Sequence, residues 1–395
     1  MSQQKQAQAT TVLLHKNQQM EKIKASWNNQ PKQLDLFQML INQNYSNSVE
    51  LYQTLPDVFS GKQEKFRNAD GTLPVLSRQG MYHKTPYMLD ISPANITVIE
   101  AWTNKKEKRA FYKTVVAEFV EHALHKLSIS EGFFLNNDDV QTDHFWLITT
   151  FYKIREELKS MGKSYSYNQI KDGISILAWL RYQLSWDISK HYWIDSFFSP
   201  IDLTIKNDRK NPNHSELYIT FNKLISKRIL ALDWRSFNYT EFMKLKTSFG
   251  RSLFMRLSYR FQQADPVKGY HFLLTSLLNE WVLQDDLITT NIKKVKEGLR
   301  DCQYIIERYD YEPLYEINAQ TNRKKLIDYK FTVFPTQQFQ QEQYRVNVHH
   351  KNIGNHRMDS EWKPVIKPMR DQYPTAGNFK AFQKDQAVFE TATSE

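Results

Sequence analysis

The sequence predicts an α+β, helix-rich chain that runs one order of elements twice: helix, helix, then β-hairpin. Three observations predict it. Apolar residues recur at steps of three and four in two blocks, one from about 140 to 180 and one from about 248 to 302. Each block leads into segments where apolar and polar residues alternate around a polar, basic turn. The ends, 1–33 and 341–395, are polar and low in apolar residues, which predicts a disordered basic N-terminal tail and a poorly ordered C-terminal tail.

Composition supports folded units between those tails. The chain has 395 residues with 21 Tyr and 24 Phe, enough apolar surface for more than one core. Only 11 Gly are present, which argues against glycine-rich nucleotide folds. Cys302 is the single cysteine, which excludes an intrachain disulfide and structural zinc of the multi-cysteine kind. No signal-peptide core and no apolar run of membrane-spanning length occurs, so the expectation is a soluble, cytoplasmic protein without a membrane partner. The net charge of +10 favours a polyanionic partner.

The elements follow in order. Residues 34–135 form an N-terminal region without an assignable fold. It contains a short apolar run at 34–41, turn signals at Asp70-Gly71, Thr85-Pro86 and Ser92-Pro93, and a helix marked by Val115, Val116, Phe119, Val120, Ala123, Leu124 and Leu127. Lys105, Lys106, Lys108 and Arg109 are read as the solvated flank of that helix. The first unit spans 136–232. Leu147, Phe151, Ile154, Leu158 and Met161 predict one helix closed by Gly162, and Ser166 caps a second with Ile170, Ile174 and Leu177 on its inner face. Ile201, Leu203 and Ile205 pair as a hairpin with Leu217, Ile219 and Phe221 across a basic tip. Trp179, Tyr182, Trp186, Tyr192 and Trp193 are read as core or interface residues.

The second unit spans 233–340. Its helices are predicted at 248–262, at Tyr270 to Trp281, and from about Thr290, where Ile292, Val295, Leu299 and Cys302 form the inner stripe. A hairpin follows, with arms near Tyr304 to Ile317 and Tyr329 to Phe334. The helix from Thr290 carries Asn291, Lys293, Lys294, Lys296 and Arg300 mostly off its stripe. A helix fits the major groove of B-DNA, where lysines neutralise phosphates and Asn or Arg read base edges. A solvated helix face with chance lysines is the competing reading. The neighbouring charges favour DNA. Arg323, Lys324 and Lys325 sit at the hairpin turn, and the preceding helix carries Lys244, Lys246, Arg251, Arg256 and Arg260. The order of elements then reads as two tandem winged-helix domains with short β-hairpin wings. In the first domain the corresponding candidates are Lys163, Asn168 and Lys171 on or near the helices, with Lys206, Arg209 and Lys210 on the hairpin tip.

Catalytic patterns are missing. There is no phosphate-binding GxxxxGK[ST] loop and no HExxH zinc helix. His349-His350 cannot chelate together from a strand, because adjacent side chains point to opposite faces. Asp138-Asp139, Asp285-Asp286 and Asp328 are more common as turn and cap residues than as metal ligands. The expectation is a binding protein with no catalytic residue, no metal and no cofactor.

The runs RSLFMRLSYRFQQ, GYHFLLTSLLNEW, ITTNIKKVKEGLRDCQYIIERY and NRKKLIDYKFTVFPT resemble the second winged helix of bacterial plasmid replication initiators, the iteron-binding RepA/RepE-type proteins. FWLITTFYKIREELKSMGKSYSYNQIKDGISIL resembles their first winged helix, so the resemblance covers roughly 140 to 340. It implies binding to direct repeats at an origin, help in opening the duplex, and recruitment of a host initiator and helicase. It also implies a homodimeric form that represses its own gene. By this resemblance Lys293, Lys294, Lys296 and Arg300 lie on the major-groove helix, and Arg323 to Lys325 on the wing. The alternatives are a winged-helix transcription regulator without replication activity and a DNA-nicking enzyme.

Overall fold

The computed structural model describes residues 45–48, 52, 63–82, 85–99, 106–135, 144–189, 192–212, 215–230, 234–281, 288–317 and 324–359. The expected helix at 34–41, both Asp pairs, and the tails 1–33 and 360–395 lie outside them. Among the described residues helix and strand are nearly balanced, about 41% against 38%, so these residues are less helix-rich than the periodicity suggests.

Among its described residues the N-terminal region holds more strand than helix. A short strand β1 (Tyr45–Ser48) and a 3-10 turn at Gln63–Phe66 precede two antiparallel hairpins, β2 (Leu76–Tyr82) with β3 (Thr85–Ser92) and β4 (Ala94–Ile99) with β5 (Lys106–Phe111). Helix α1 (Val115–Glu131) follows. Then come β6 (Gly132–Leu135), β7 (His144–Thr150), α2 (Phe151–Ser160) and α3 (Tyr167–Trp179). A hairpin of β8 (Arg181–Ser189) and β9 (Tyr192–Phe198) joins β2 and β3 in a four-stranded sheet ordered β2-β3-β8-β9. The predicted hairpin is β10 (Ile201–Lys206) with β11 (Glu216–Phe221), registered as Leu203 opposite Ile219. Its sheet runs β10-β11-β7-β6.

The remaining elements are α4 (Lys223–Leu230), β12 (Arg235–Asn238), α5 (Tyr239–Lys244), α6 (Ser248–Arg260), β13 (Tyr270–Leu273), α7 (Leu274–Trp281), α8 (Ile288–Asp301), β14 (Ile306–Ile317), β15 (Lys324–Pro335) and α9 (Gln337–Asp359). The sheet here is ordered β13-β15-β14. The two units share a three-stranded arrangement, although in the first β6 adds a fourth strand and the β8–β9 hairpin of another sheet intervenes between α3 and β10. In each, a strand (β7 or β13) leads into two helices and a hairpin, and the returning arm (β11 or β15) lies between the outgoing arm and that first strand.

Both first strands were expected to be helical, and the correction has one physical cause. A strand that runs straight into a helix mimics helical spacing at the junction, because residues four apart share a face in both conformations. In β7, Phe145, Leu147 and Thr149 are buried in alternation, and the β-branched run Ile148, Thr149 and Thr150 suits a strand. Thr150 then caps α2, its side chain accepting from the Lys153 amide at 3.2 Å. In the second unit, Phe272 of β13 stacks on Phe331 of β15, and the Asp328 carboxylate accepts from the Thr275 amide at 3.1 Å at the start of α7. Asp328 is thus a helix cap.

Other expectations meet the structure differently. Ser166 and Gln169 form a reciprocal capping box on α3, and Gly162 closes α2 with φ +74°. The second wing is long, with 12-residue strands spanning roughly 40 Å. The first arm lies where Tyr304 to Ile317 was expected, while the second begins at Lys324 rather than Tyr329, because a register shift past Asp328 breaks the alternation there. The polar stretch from Gln341 to Asp359 continues α9 and is held by polar contacts that hydropathy does not register. Glu342 accepts from the Tyr304 hydroxyl at 2.5 Å, and Arg235 donates to Asn347 Oδ1 at 2.8 Å and to Gln343 Oε1 at 2.5 Å.

One core runs through both units, with α1 at its centre. The apolar side of α1 packs on α2, α3 and β7; Ala117 and Val120 lie so close to Gly173 of α3 that a Cβ there would touch both. Its polar side is buried as well. Glu118 pairs with Arg251 of α6 at 2.7 Å, and the Arg251 guanidinium lies 4.8 Å over the Phe119 ring. Glu121 pairs with Lys113 at 2.5 Å and accepts from the Tyr52 hydroxyl at 2.5 Å. The His122 ring lies 4.2 Å from the ring of Phe242 in α5.

Burial of the two histidines makes stability pH-dependent. Loss of hydration pushes His122 well below its ordinary value, with His125, Lys113 and Arg251 adding to the effect. Burial, then Lys113, pushes His125 down to about 3. Both folded values lie below the unfolded one near 6.5, so the unfolded chain binds more protons as pH drops. Stability is therefore complete above about pH 6.5 and falls below it, by at most about 1.4 kcal/mol per pH unit for each histidine. Urea denaturation at neutral and mildly acid pH should show this loss, and His125→Gln should show a smaller one. Equal losses in both proteins would remove His125 as a cause.

Candidate nucleic-acid interface

Helix α8 is seated by its inner stripe. Val295, Leu299 and Cys302 are buried and Ile292 packs against them, the 3-4-3 spacing expected of one helix face. Gly298 permits the close approach to α6, since a Cβ there would overlap the Phe249 ring. The C-terminal end is bolted to the start of α6. The Asp301 carboxylate accepts from the amides of Lys246 (3.0 Å) and Thr247 (2.8 Å) and from the Thr247 hydroxyl (2.9 Å). A negative charge at a helix N-terminus is favourable, so this contact anchors both helices. The Cys302 thiol donates to the Gly250 carbonyl at 3.1 Å.

With that face buried, Lys293, Glu297 and Arg300 project to solvent on the other. Lys294 and Lys296 are half-buried, and the Lys296 ammonium lies 3.7 Å over the ring of Tyr311 on β14. Lys296 therefore ties the helix to the wing. Asn291 lies within α8, and its side chain is outside the described residues, as is all of Arg323. Lys324 and Lys325 are exposed at the distal end of β15. The wing shaft is mixed in charge: Glu307, Asp310, Glu312 and Glu316 are exposed on β14, and Lys330 pairs with Glu312 at 3.1 Å. On the shaft the exposed Arg308 lies 3.6 Å from Asp310, whereas Lys293 and Arg300 on α8 and Lys324 and Lys325 at the outer end of the wing are exposed.

The arginines of α6 do not join this surface. Arg251 and Arg256 are only 1% and 6% exposed, and Arg251 is engaged by Glu118. The expectation that Arg251 and Arg256 contact DNA is corrected: both are buried, and the acid that Arg251 meets, Glu118, is supplied by α1. Arg260 is half-buried, while Lys244 is exposed and pairs with Glu241 at 2.7 Å.

In the first unit α3 occupies the place of α8. Ile170, Ile174 and Leu177 face inward and Asn168 is exposed. Lys171 is half-buried, 5.2 Å over the Phe151 ring. Lys163 lies 4.2 Å over Phe119, beside Arg251, at the seam between units rather than on an outer face. Burial lowers its pKa. On the β10–β11 tip, Arg209 and Lys210 are exposed, and Lys206 pairs with Glu216 at 2.9 Å. Asp208 shapes that tip by accepting from the Lys210 amide at 2.8 Å and the Asn211 amide at 3.1 Å. The structure thus brings Lys293, Arg300, Lys324 and Lys325 to one helix and wing, and Asn168, Arg209 and Lys210 to their counterparts.

Sequence reasoning missed β5, whose Lys106, Lys108 and Arg109 were assigned to a helix flank. Lys106 and Lys108 fall on the face away from Ile96 and Val98, while Arg109 falls opposite Ile96, a division visible only once the two strands are paired. Among the described residues, no group of His, Cys, Asp or Glu is placed to hold a metal ion. Among the same residues, no helix is long and apolar enough to cross a membrane.

No protein-family model matches this chain, and no curated protein matches it. Solved structures do. It is similar to domains 2 and 3 of RctB, at 12% identity and a TM-score of 0.39, over 69% of this chain and 97% of that one. A second RctB structure of domains 2–3 gives 12% identity and a TM-score of 0.36, over 73% and 97%. The Pi initiator protein in complex with iteron DNA gives 14% identity and a TM-score of 0.35, over 57% and 92%. Identities this low assign no role to any residue of this chain.

Proposed function

We propose that this chain is a replication initiator that binds direct repeats of double-stranded DNA at an origin through two winged-helix domains, 136–232 and 233–340, with α1 completing the first. The observation that carries the reading is α8. Its apolar stripe is bolted to α6, its opposite face presents Lys293 and Arg300, and a wing ending in Lys324 and Lys325 stands beside it. The repeat of the same strand order around α3 supports a second DNA-binding unit. Two such units on one chain suit a site read in two halves.

The step from DNA binding to initiation rests on the sequence runs that resemble plasmid initiators. By that reading the protein works in the cytoplasm, helps open the duplex, engages a host initiator and helicase, and has a homodimeric form. It acts by binding and carries no catalytic centre.

Selection of bound duplexes from a random pool tests the reading. The recovered site should recur as direct repeats, and a plasmid carrying those repeats should replicate only when this protein is supplied. Specific binding without replication would make the protein a transcription regulator instead. Metal-dependent cutting of supercoiled DNA by the pure protein would overturn the non-catalytic part.

A further inference from the structure

The β4–β5 hairpin has two unlike faces. The register sets Ile96 opposite Arg109, Thr97 opposite Lys108, and Ile99 opposite Lys106. Side chains alternate across a strand, so Ala94, Ile96, Val98 and Phe111 share one face with Glu107 and Arg109. Its apolar members pack into the core, with β4 lying along α3, while Glu107 and Arg109 stay exposed. The other face carries Ala110, buried with Leu73 and Tyr112, and then Asn95, Thr97, Lys106 and Lys108, all exposed. The acid and base of the inner face neutralise each other, Arg109 lying 3.2 Å from Glu107. Neither Lys106 nor Lys108 has an acid directly across the ladder.

We propose that this hairpin is a third DNA-contacting element, gripping the phosphate backbone beside the groove faced by α3. The proposal rests on the DNA-binding reading above and extends it to residues outside both winged helices. Lys106 and Lys108 are two residues apart on one strand face, roughly 6.7 Å. That is of the order of the spacing between successive phosphates on one DNA strand. Asn95 and Thr97 beside them supply the neutral hydrogen-bonding groups that commonly accompany lysine at phosphates. Because the inner face is locked against α3, the two charges are held at a fixed offset from the first unit.

The test uses the full chain and random-sequence duplex DNA, where binding is almost wholly electrostatic. Lys106→Ala with Lys108→Ala removes two phosphate contacts, so the slope of log K against log salt should become shallower by about 1.8. Between 50 and 200 mM salt, the affinity gap between wild type and variant should shrink about tenfold. Lys106→Arg with Lys108→Arg should keep the wild-type slope, and thermal melting should be unchanged in both, since the positions are exposed. Wild-type binding with an unchanged slope in the alanine variant would overturn the hairpin's role alone. Failure of the wild type to bind duplex DNA at low salt would overturn the DNA-binding reading itself.

Discussion

Lys293→Ala with Arg300→Ala is expected to produce the largest loss of DNA binding available from two exposed residues. They stand two turns apart on the free face of α8, about 10 Å along its axis. Each phosphate left without its cation should reduce the salt slope by about 0.9, giving a change of about 1.8 for the pair. A base contact by Arg300 would add about 1–3 kcal/mol of discrimination at one position of the site. The loss on the selected sequence should then exceed the loss on random DNA. Lys296→Ala should differ in kind, because Lys296 is engaged with Tyr311: it should loosen the wing while changing the slope less. Titration of fluorescent duplexes over a range of salt measures all three. An unchanged slope in the double variant would take α8 out of the interface.

The largest effect on stability is expected from the buried pair at the seam. Arg251 and Glu118 have side chains only 1% and 4% exposed, with 2.7 Å between their charged atoms. The Arg251 guanidinium also donates to the Ser248 hydroxyl at 3.0 Å. Removing one partner strands the other charge away from water, at a cost of about 3–5 kcal/mol. Arg251→Met or Glu118→Leu should each lower the denaturation midpoint sharply. Combined, they should recover most of the loss, since apolar side chains of similar volume replace a buried pair at little cost. The double variant should keep the wild-type salt slope on DNA. A drop in the slope equal to that of Lys293→Ala would return Arg251 to the interface, and mild single variants would mean that water reaches the seam.

How much of this was legible depends on whether the signal was local. Ser166 with Gln169, Gly162 after α2, and the stripe Ile292, Val295, Leu299 and Cys302 are read from neighbours in sequence, and the structure places them as expected. The β10–β11 hairpin, with its clean alternation, was also legible, as was the first arm of the second hairpin. Segments where a strand abuts a helix were not, because β7 with α2 and β13 with α7 share spacings that fit either element. The β8–β9 hairpin was missed because its aromatics, such as Trp186 and Phe198, are spaced for a sheet whose other strands come from β2 and β3, about a hundred residues earlier.

The candidate site divides in the same way. By itself the sequence determined that one helix carries Lys293, Lys294, Lys296 and Arg300 against an apolar stripe, since helical geometry alone separates the two faces. It also determined that a basic turn follows that helix. Only the tertiary structure decided which cations are free. It turned Lys296 onto Tyr311, buried Arg251 against Glu118 from 133 residues away, and exposed Lys106 and Lys108 on a strand. The reason is electrostatic: a charge in sequence has no fixed environment until the fold supplies its partner or its water, and those partners come from distant parts of the chain.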